Sequence, residues 1–186
     1  EGYDAEAAYS ADGKVIAFSS TRDNNPGNLF VMDSDGKNVR QLTKTPGYDG
    51  GPFISPDMKK VIYRGEFKKK HLLQIYAIDI DGKNKTQLTN NNDVNWAPYW
   101  FKDSKHIIYT TSRHGHANFE LYIQNIETKA EKRVTFTDGA DVLPVFSPDG
   151  KKILWTSKRG NDKDGKPSSQ LWIADWNYDF STMAAH

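Results

Sequence analysis

Pro144-Val145-Phe146-Ser147-Pro148-Asp149-Gly150-Lys151-Lys152-Ile153-Leu154-Trp155-Thr156-Ser157 is the stretch on which the fold turns. It places two short apolar and aromatic runs on either side of Ser-Pro-Asp-Gly. Glycine there accepts the positive φ of a tight hairpin, and runs of this length rich in β-branched and aromatic residues read as strands. The arrangement recurs upstream as Ser10-Ala11-Asp12-Gly13, Ser55-Pro56-Asp57-Met58 and Phe101-Lys102-Asp103-Ser104, with the aspartates 45, 46 and 46 residues apart.

Two further landmarks keep that period. Gln41-Leu42-Thr43, Gln87-Leu88-Thr89 and Arg133-Val134-Thr135 are each 46 residues apart. An alternating run, Leu29 to Asp33, returns as Ile75 to Asp79, Leu121 to Asn125 and Leu171 to Asp175. No stretch keeps helical periodicity over ten residues. Copy one reads as strand A (Glu6 to Tyr9), strand B (Val15 to Ser19), strand C (Leu29 to Asp33), a Ser34-Asp35-Gly36 hairpin and strand D (Val39 to Thr43). Four-stranded units at a period of 40 to 50 residues point to an all-β fold, a β-propeller of four-stranded antiparallel blades. The repeats divide the chain into blades at about 1–45, 46–91, 92–137 and 138–177, with 178–186 as a tail and the whole forming one region.

Composition agrees with this reading. The 186 residues carry 25 Lys+Arg against 24 Asp+Glu, a net charge of +1, which disfavours disorder and a general nucleic-acid binder. With no cysteine, disulfides, thiolate metal sites and cysteine nucleophiles drop out together. No apolar run approaches the length of a membrane span. The chain begins at Glu1 with no basic and apolar leader, so targeting is not read directly.

The pattern of a small or Pro residue, an aromatic, Ser-Pro-Asp-Gly-Lys-Lys-Ile, Thr-Ser-x-Arg, Leu-Tyr-x-x-Asp and Leu-Thr resembles the repeat of TolB-like β-propellers, and the resemblance covers nearly the whole chain. It implies a ring that usually has six blades. Four copies would then be part of a ring, completed by missing chain or by another subunit. It also implies a noncatalytic protein- or peptide-binding scaffold of the cell envelope, periplasmic or secreted, without a cofactor. The same repeat occurs in propeller domains of prolyl-oligopeptidase-like peptidases, amidohydrolases and carbohydrate lyases, which is the alternative. Copy two replaces Thr-Ser-x-Arg with Arg64-Gly65-Glu66-Phe67, and copy three loses the turn Pro and Gly; both departures read as drift in a structural repeat.

Variable loops on a rigid scaffold are where binding usually resides, which selects the face carrying the B-to-C and D-to-A connections. There Asp4, Asp49, Asn95 and Asp141 precede each strand A and would form a polar ring at a channel mouth. They either recognise a cationic or amide-bearing peptide or cap their own turns. Arg22, Arg113 and Arg159 hold one repeat position, as for a salt bridge to a neighbouring blade. Lys68-Lys69-Lys70-His71 reads as a solvated loop without the aromatic platform of a nucleic-acid site. His114 and His116 would share a direction in an extended loop but lack a third metal ligand, and Asp162-Lys163-Asp164-Gly165 opens like a calcium loop without its closing acid. Neither is assigned a metal. No Gly-x-Ser-x-Gly, His-Glu-x-x-His or phosphate-loop motif is present. The repeated turn aspartates are four copies of one turn former, whereas an active site needs one unique constellation.

Overall fold

The computed structural model describes residues 2–67 and 69–183, without the side chains of Asp23, Phe67, Lys69 and Lys70. Blade one consists of β1 (Asp4–Tyr9), β2 (Val15–Ser20), β3 (Asn28–Asp33) and β4 (Arg40–Gln41). Blade two consists of β5 (Asp49–Ile54), β6 (Lys60–Phe67), β7 (Lys69–Asp79) and β8 (Thr86–Gln87). Blade three consists of β9 (Asn95–Trp100), β10 (His106–Thr111), β11 (Glu120–Asn125) and β12 (Glu131–Arg133), and blade four of β13 (Asp141–Phe146), β14 (Lys152–Asn161) and β15 (Pro167–Asp175). Among the described residues each blade is one antiparallel meander in chain order, with four strands in the first three and three in the last. By contacts the chain forms two compact units, Glu1–Trp96 and Ala97–His186.

The turn that carries the period builds itself locally. Ser10 Oγ donates to Asp12 Oδ1 at 2.7 Å and accepts from the Val15 amide, while the Lys14 amide donates to Asp12. Ser55 with Asp57 and Ser147 with Asp149 repeat these bonds. Copy three has Phe101 in place of the serine, and Asp103 takes over both amides, of Lys105 and His106. Gly13 and Gly150 hold positive φ in this turn, and Met58 and Ser104 adopt the same left-handed conformation with a side chain. Leu-Thr has an equally local role. The strand-C amides of Leu29, Ile75 and Leu121 donate to the hydroxyls of Thr43, Thr89 and Thr135, so threonine extends the ladder beyond a fourth strand of only two or three residues.

In blades one to three both faces of strands B and C are largely covered, which explains why these strands are nearly continuous apolar runs. In the first unit Ala17, Leu29, Val31, Ile54, Val61 and Tyr63 form one cluster, and Ile16, Phe18 and Phe30 lie on the other face of blade one. In the second unit Phe101, Ile108, Leu121, Phe146, Ile153 and Trp155 pack together. The segment read as a tail, 178–186, folds onto that cluster through Phe180 and Met183, beside Trp176 of blade four, with the Phe180 ring stacked 3.9 Å from that of His106.

Two connections differ from the sequence expectation. The B-to-C segments of blades two and four are extended hairpins, with Phe67 opposite Lys69 and Asn161 opposite Pro167. Lys68 and the side chains of Lys69 and Lys70 lie outside the described residues, so the solvated-loop reading of that run is not addressed there. In blade four Asp162 Oδ1 accepts the amides of Asp164 and Lys166, a turn-forming use of the carboxylate that opened the calcium-like run.

Candidate functional site

The first strands share a left-handed residue that the sequence did not announce. Glu6, Gly51, Ala97 and Leu143 occupy one repeat position and all have φ between 49° and 59°. The register slips there in β1, β5 and β13. Left-handed backbone costs a residue with a Cβ roughly 1–2 kcal/mol, so the glycine of blade two is the unstrained member. The bulged amides reach the preceding blade, Leu143 to Thr110 Oγ1 at 3.3 Å and Gly51 to Glu6 Oε2 at 2.7 Å.

The residues expected at the channel mouth begin these strands, and their surroundings differ. Asp49, Asn95 and Asp141 are 2% exposed or less. Each bonds a side chain four residues earlier in its own D-to-A turn. Thr45 donates to Asp49 at 2.8 Å, the Asn95 amide donates to Asn91 at 2.8 Å, and Thr137 donates to Asp141 at 3.2 Å. Asp141 also accepts from Trp155 and Arg159. Burial drives the Asp49 carboxyl above its ordinary value, with the Thr45 bond working against it. Asp4 alone is exposed. The Ser20 hydroxyl and the Arg22 guanidinium, 3.1 Å away, hold its carboxyl below the usual range.

Arg22, Arg113 and Arg159 pair within their own blades rather than with a neighbour. Arg22 meets Asp4 and Arg159 meets Asp141, each across the strand A–strand B pairing of one sheet. In blade three the first strand offers a neutral Asn95, and Arg113 turns to Glu131 at 2.5 Å. The arginines also cover directly opposed aromatic pairs: Arg22 lies over Phe18 and Phe30, Arg159 over Trp155 and Trp172, and Arg113 over Tyr122. In blade two Lys85 takes this place over Tyr63 and Tyr76. His114 and His116 do not share a direction. Two successive turns, Ser112 to Gly115 and Gly115 to Asn118, set His114 against Tyr122 and His116 against Phe119.

The departure in copy two, read from sequence as drift, builds a constellation that breaks the repeat. Arg64 stands where the other repeats carry Ser19, Thr110 and Thr156. Its guanidinium donates to Glu6 Oε1 and, at 3.1 Å, to the Tyr48 hydroxyl. Tyr48 in turn donates to Glu6 Oε2 at 2.6 Å, beside the Gly51 amide. Gly50 and Gly51 make this convergence sterically feasible, since a Cβ on the first would overlap the Tyr48 hydroxyl and one on the second the Arg64 guanidinium. Burial works to raise the Glu6 carboxyl, but the bonds from Tyr48 and Arg64 prevail and hold it below its ordinary value. Burial and Glu6 together push the Tyr48 phenol up to about 12. The signal available beforehand was the pair of mismatches at one place in the repeat, an arginine for a small hydroxyl and Gly-Gly for Ala5-Glu6, Trp96-Ala97 and Val142-Leu143.

A second set, equally unmarked in the sequence reading, occupies one repeat position on the third strands. Asn28, Gln74 and Glu120 are 1% exposed or less and anchor the D-side chain segment, through Thr45, Asn91, and Arg133 with Thr135.

No family model and no curated protein matches this chain. Among solved structures it is similar to a protein assigned as TolB from Agrobacterium tumefaciens, at 25% identity and a TM-score of 0.77, covering 91% of this chain and 60% of that one. TolB from Acinetobacter baumannii superposes with a TM-score of 0.78 at 22% identity, over 94% of this chain and 41% of that one. An oligogalacturonate lyase from Vibrio parahaemolyticus reaches 0.66 at 17% identity, over 90% and 48%. The chain thus spans less than two thirds of the length of these proteins. With a 46-residue period, antiparallel blades and these neighbours, the chain is a run of four β-propeller repeats similar in fold to those of the TolB structures.

Proposed function

We propose that the chain is a noncatalytic scaffold that binds a protein or peptide partner in the cell envelope. The observation that carries this reading is the match to two TolB structures over more than nine tenths of the chain. The Glu6, Tyr48 and Arg64 constellation supports it, because Glu6 lies on one first strand and accepts the Gly51 amide of the next, and a propeller's blades are arranged around a central channel. Its groups are a paired carboxylate, a phenol above its ordinary pKa and a guanidinium, which suit polar recognition; activation of a nucleophile needs a lowered pKa or an accepting base, whereas Tyr48 is raised and Glu6 is held ionised by Arg64. The proposed location is periplasmic or secreted; no helix of the described residues is long and apolar enough to cross a membrane.

The test is capture from envelope extract on immobilised wild-type chain beside an Arg64→Ala variant. The expected result is a discrete protein or peptide retained by the first and depleted on the second. Turnover of trigalacturonate or of a peptide amide by the purified chain, abolished in that same variant, would overturn the reading in favour of a lyase or peptidase propeller.

A further inference from the structure

We infer that Tyr48, Arg64 and the Gly51 amide form a binding site for an acidic side chain of a partner peptide, with Glu6 held in it as an internal stand-in. The inference rests on the peptide-binding reading and names the chemistry of the residue recognised.

All three donors belong to blade two, whereas the acceptor comes from blade one. Arg64 lies on the central strand β6, opposite Gly50 on one side and Ile75 on the other. Its guanidinium lies 5.6 Å from the centre of the Tyr48 ring. These pairings are blade two's own, so the donors keep their places whether or not Glu6 is present. Guanidinium, phenol and amide converging on one carboxylate make an unusually complete set of partners for that group, and charge-assisted bonds of this kind carry both strength and orientation.

Glu6 is the exchangeable member. Its side chain is 33% exposed, against 17% for Arg64, so it occupies the solvent side of the cluster. It sits at φ +55°, the left-handed conformation for which the equivalent position in blade two uses glycine. An incoming carboxylate replaces the bonds from Arg64, Tyr48 and Gly51 one for one. Because the stand-in is tethered, its effective concentration is high and the wild-type chain binds a lone acidic peptide weakly.

The test is titration of the full 186-residue chain with acetyl-tetraglutamate amide, followed by amide NMR shifts, with acetyl-tetraglutamine amide as the uncharged control. Glu6→Gly removes the stand-in and suits the local φ, so the fold is retained. The expected result is at least tenfold tighter binding of tetraglutamate by Glu6→Gly than by wild type, no such gain for tetraglutamine, and loss of the gain in Glu6→Gly/Arg64→Gln. If that double variant does not fold, Glu6→Gly/Tyr48→Phe removes one hydroxyl and is expected to lose affinity severalfold. Equal binding by wild type and Glu6→Gly, or a gain that survives loss of Arg64, overturns the site. Binding of trigalacturonate but not tetraglutamate by Glu6→Gly overturns the peptide assignment. Turnover of trigalacturonate would instead sink the scaffold reading itself, so the two failures are distinguishable.

Discussion

Asp49 and Ser104 each carry a cost that a neighbouring copy of the repeat avoids. Asp49 is 2% exposed, and among the described residues no ammonium or guanidinium bonds to it; the third repeat has Asn95 in its place. Because burial raises its folded-state pKa above the ordinary 3.8, the native state keeps that proton longer than the unfolded chain. Stability therefore falls as pH rises from about the ordinary value through the raised one, and the loss persists above it. Asp49→Asn removes this dependence. Urea unfolding is expected to show a gain of ~1 kcal/mol at pH 7 that vanishes below the ordinary aspartate range. Glu6 has the opposite sign. Its pKa is lowered, so its contribution is present above the ordinary glutamate range and is lost as pH falls through the folded value. At Ser104, φ is +59° where Gly13 and Gly150 serve two other copies. Ser104→Gly should stabilise by about 0.5–1 kcal/mol once the glycine entropy is discounted, read as a higher melting temperature.

At the level of the element, the central strands of blades two and three run the same design with different polar outcomes. Tyr63 and Tyr109 are equivalent, each fully buried and facing a tyrosine on the next strand. The Tyr109 hydroxyl donates to Glu131 at 2.6 Å and accepts from Arg113 at 3.1 Å. In blade two those partners are replaced by Lys85 and Phe67, and the Tyr63 hydroxyl has no partner among the described residues. A buried hydroxyl without a partner costs about 1–3 kcal/mol, while a bonded one repays its desolvation. Tyr63→Phe is accordingly expected to be neutral or to stabilise by up to about 1 kcal/mol, and Tyr109→Phe to destabilise by about 1–2 kcal/mol. Denaturant midpoints of the two variants should move in opposite directions. A shared loss of stability would show that the two hydroxyls are equally well satisfied.

For the whole molecule, the informative contrast lies between β15 and the third strands of the other blades. Leu171 and Ile173 are 74% and 64% exposed, whereas their counterparts Leu29 and Val31 are 0% and 1% exposed. A long apolar strand with a free edge is a template for pairing. The chain is expected to self-associate with concentration, and Ile173→Lys to lower its average mass by light scattering; a monomer at all concentrations would contradict this. What the sequence determined alone was the repeat. Ser-x-Asp turns, Asp-Gly hairpins and the Leu-Thr closure are solved by residues a few positions apart, so the same local chemistry announces each blade, and strand boundaries emerge within a few residues. The polar position that opens each first strand was legible for the same reason, since the turn partners of Asp49, Asn95 and Asp141 lie only four residues away. Tertiary structure decided which groups meet: Glu6 and Arg64 are separated by 58 residues and adjoin only because two first strands pack side by side. It also decided which first-strand residues turn left-handed. Glu6, Ala97 and Leu143 accept that φ without any glycine to announce it, and at Leu143 and Gly51 the turned amide reaches the preceding blade.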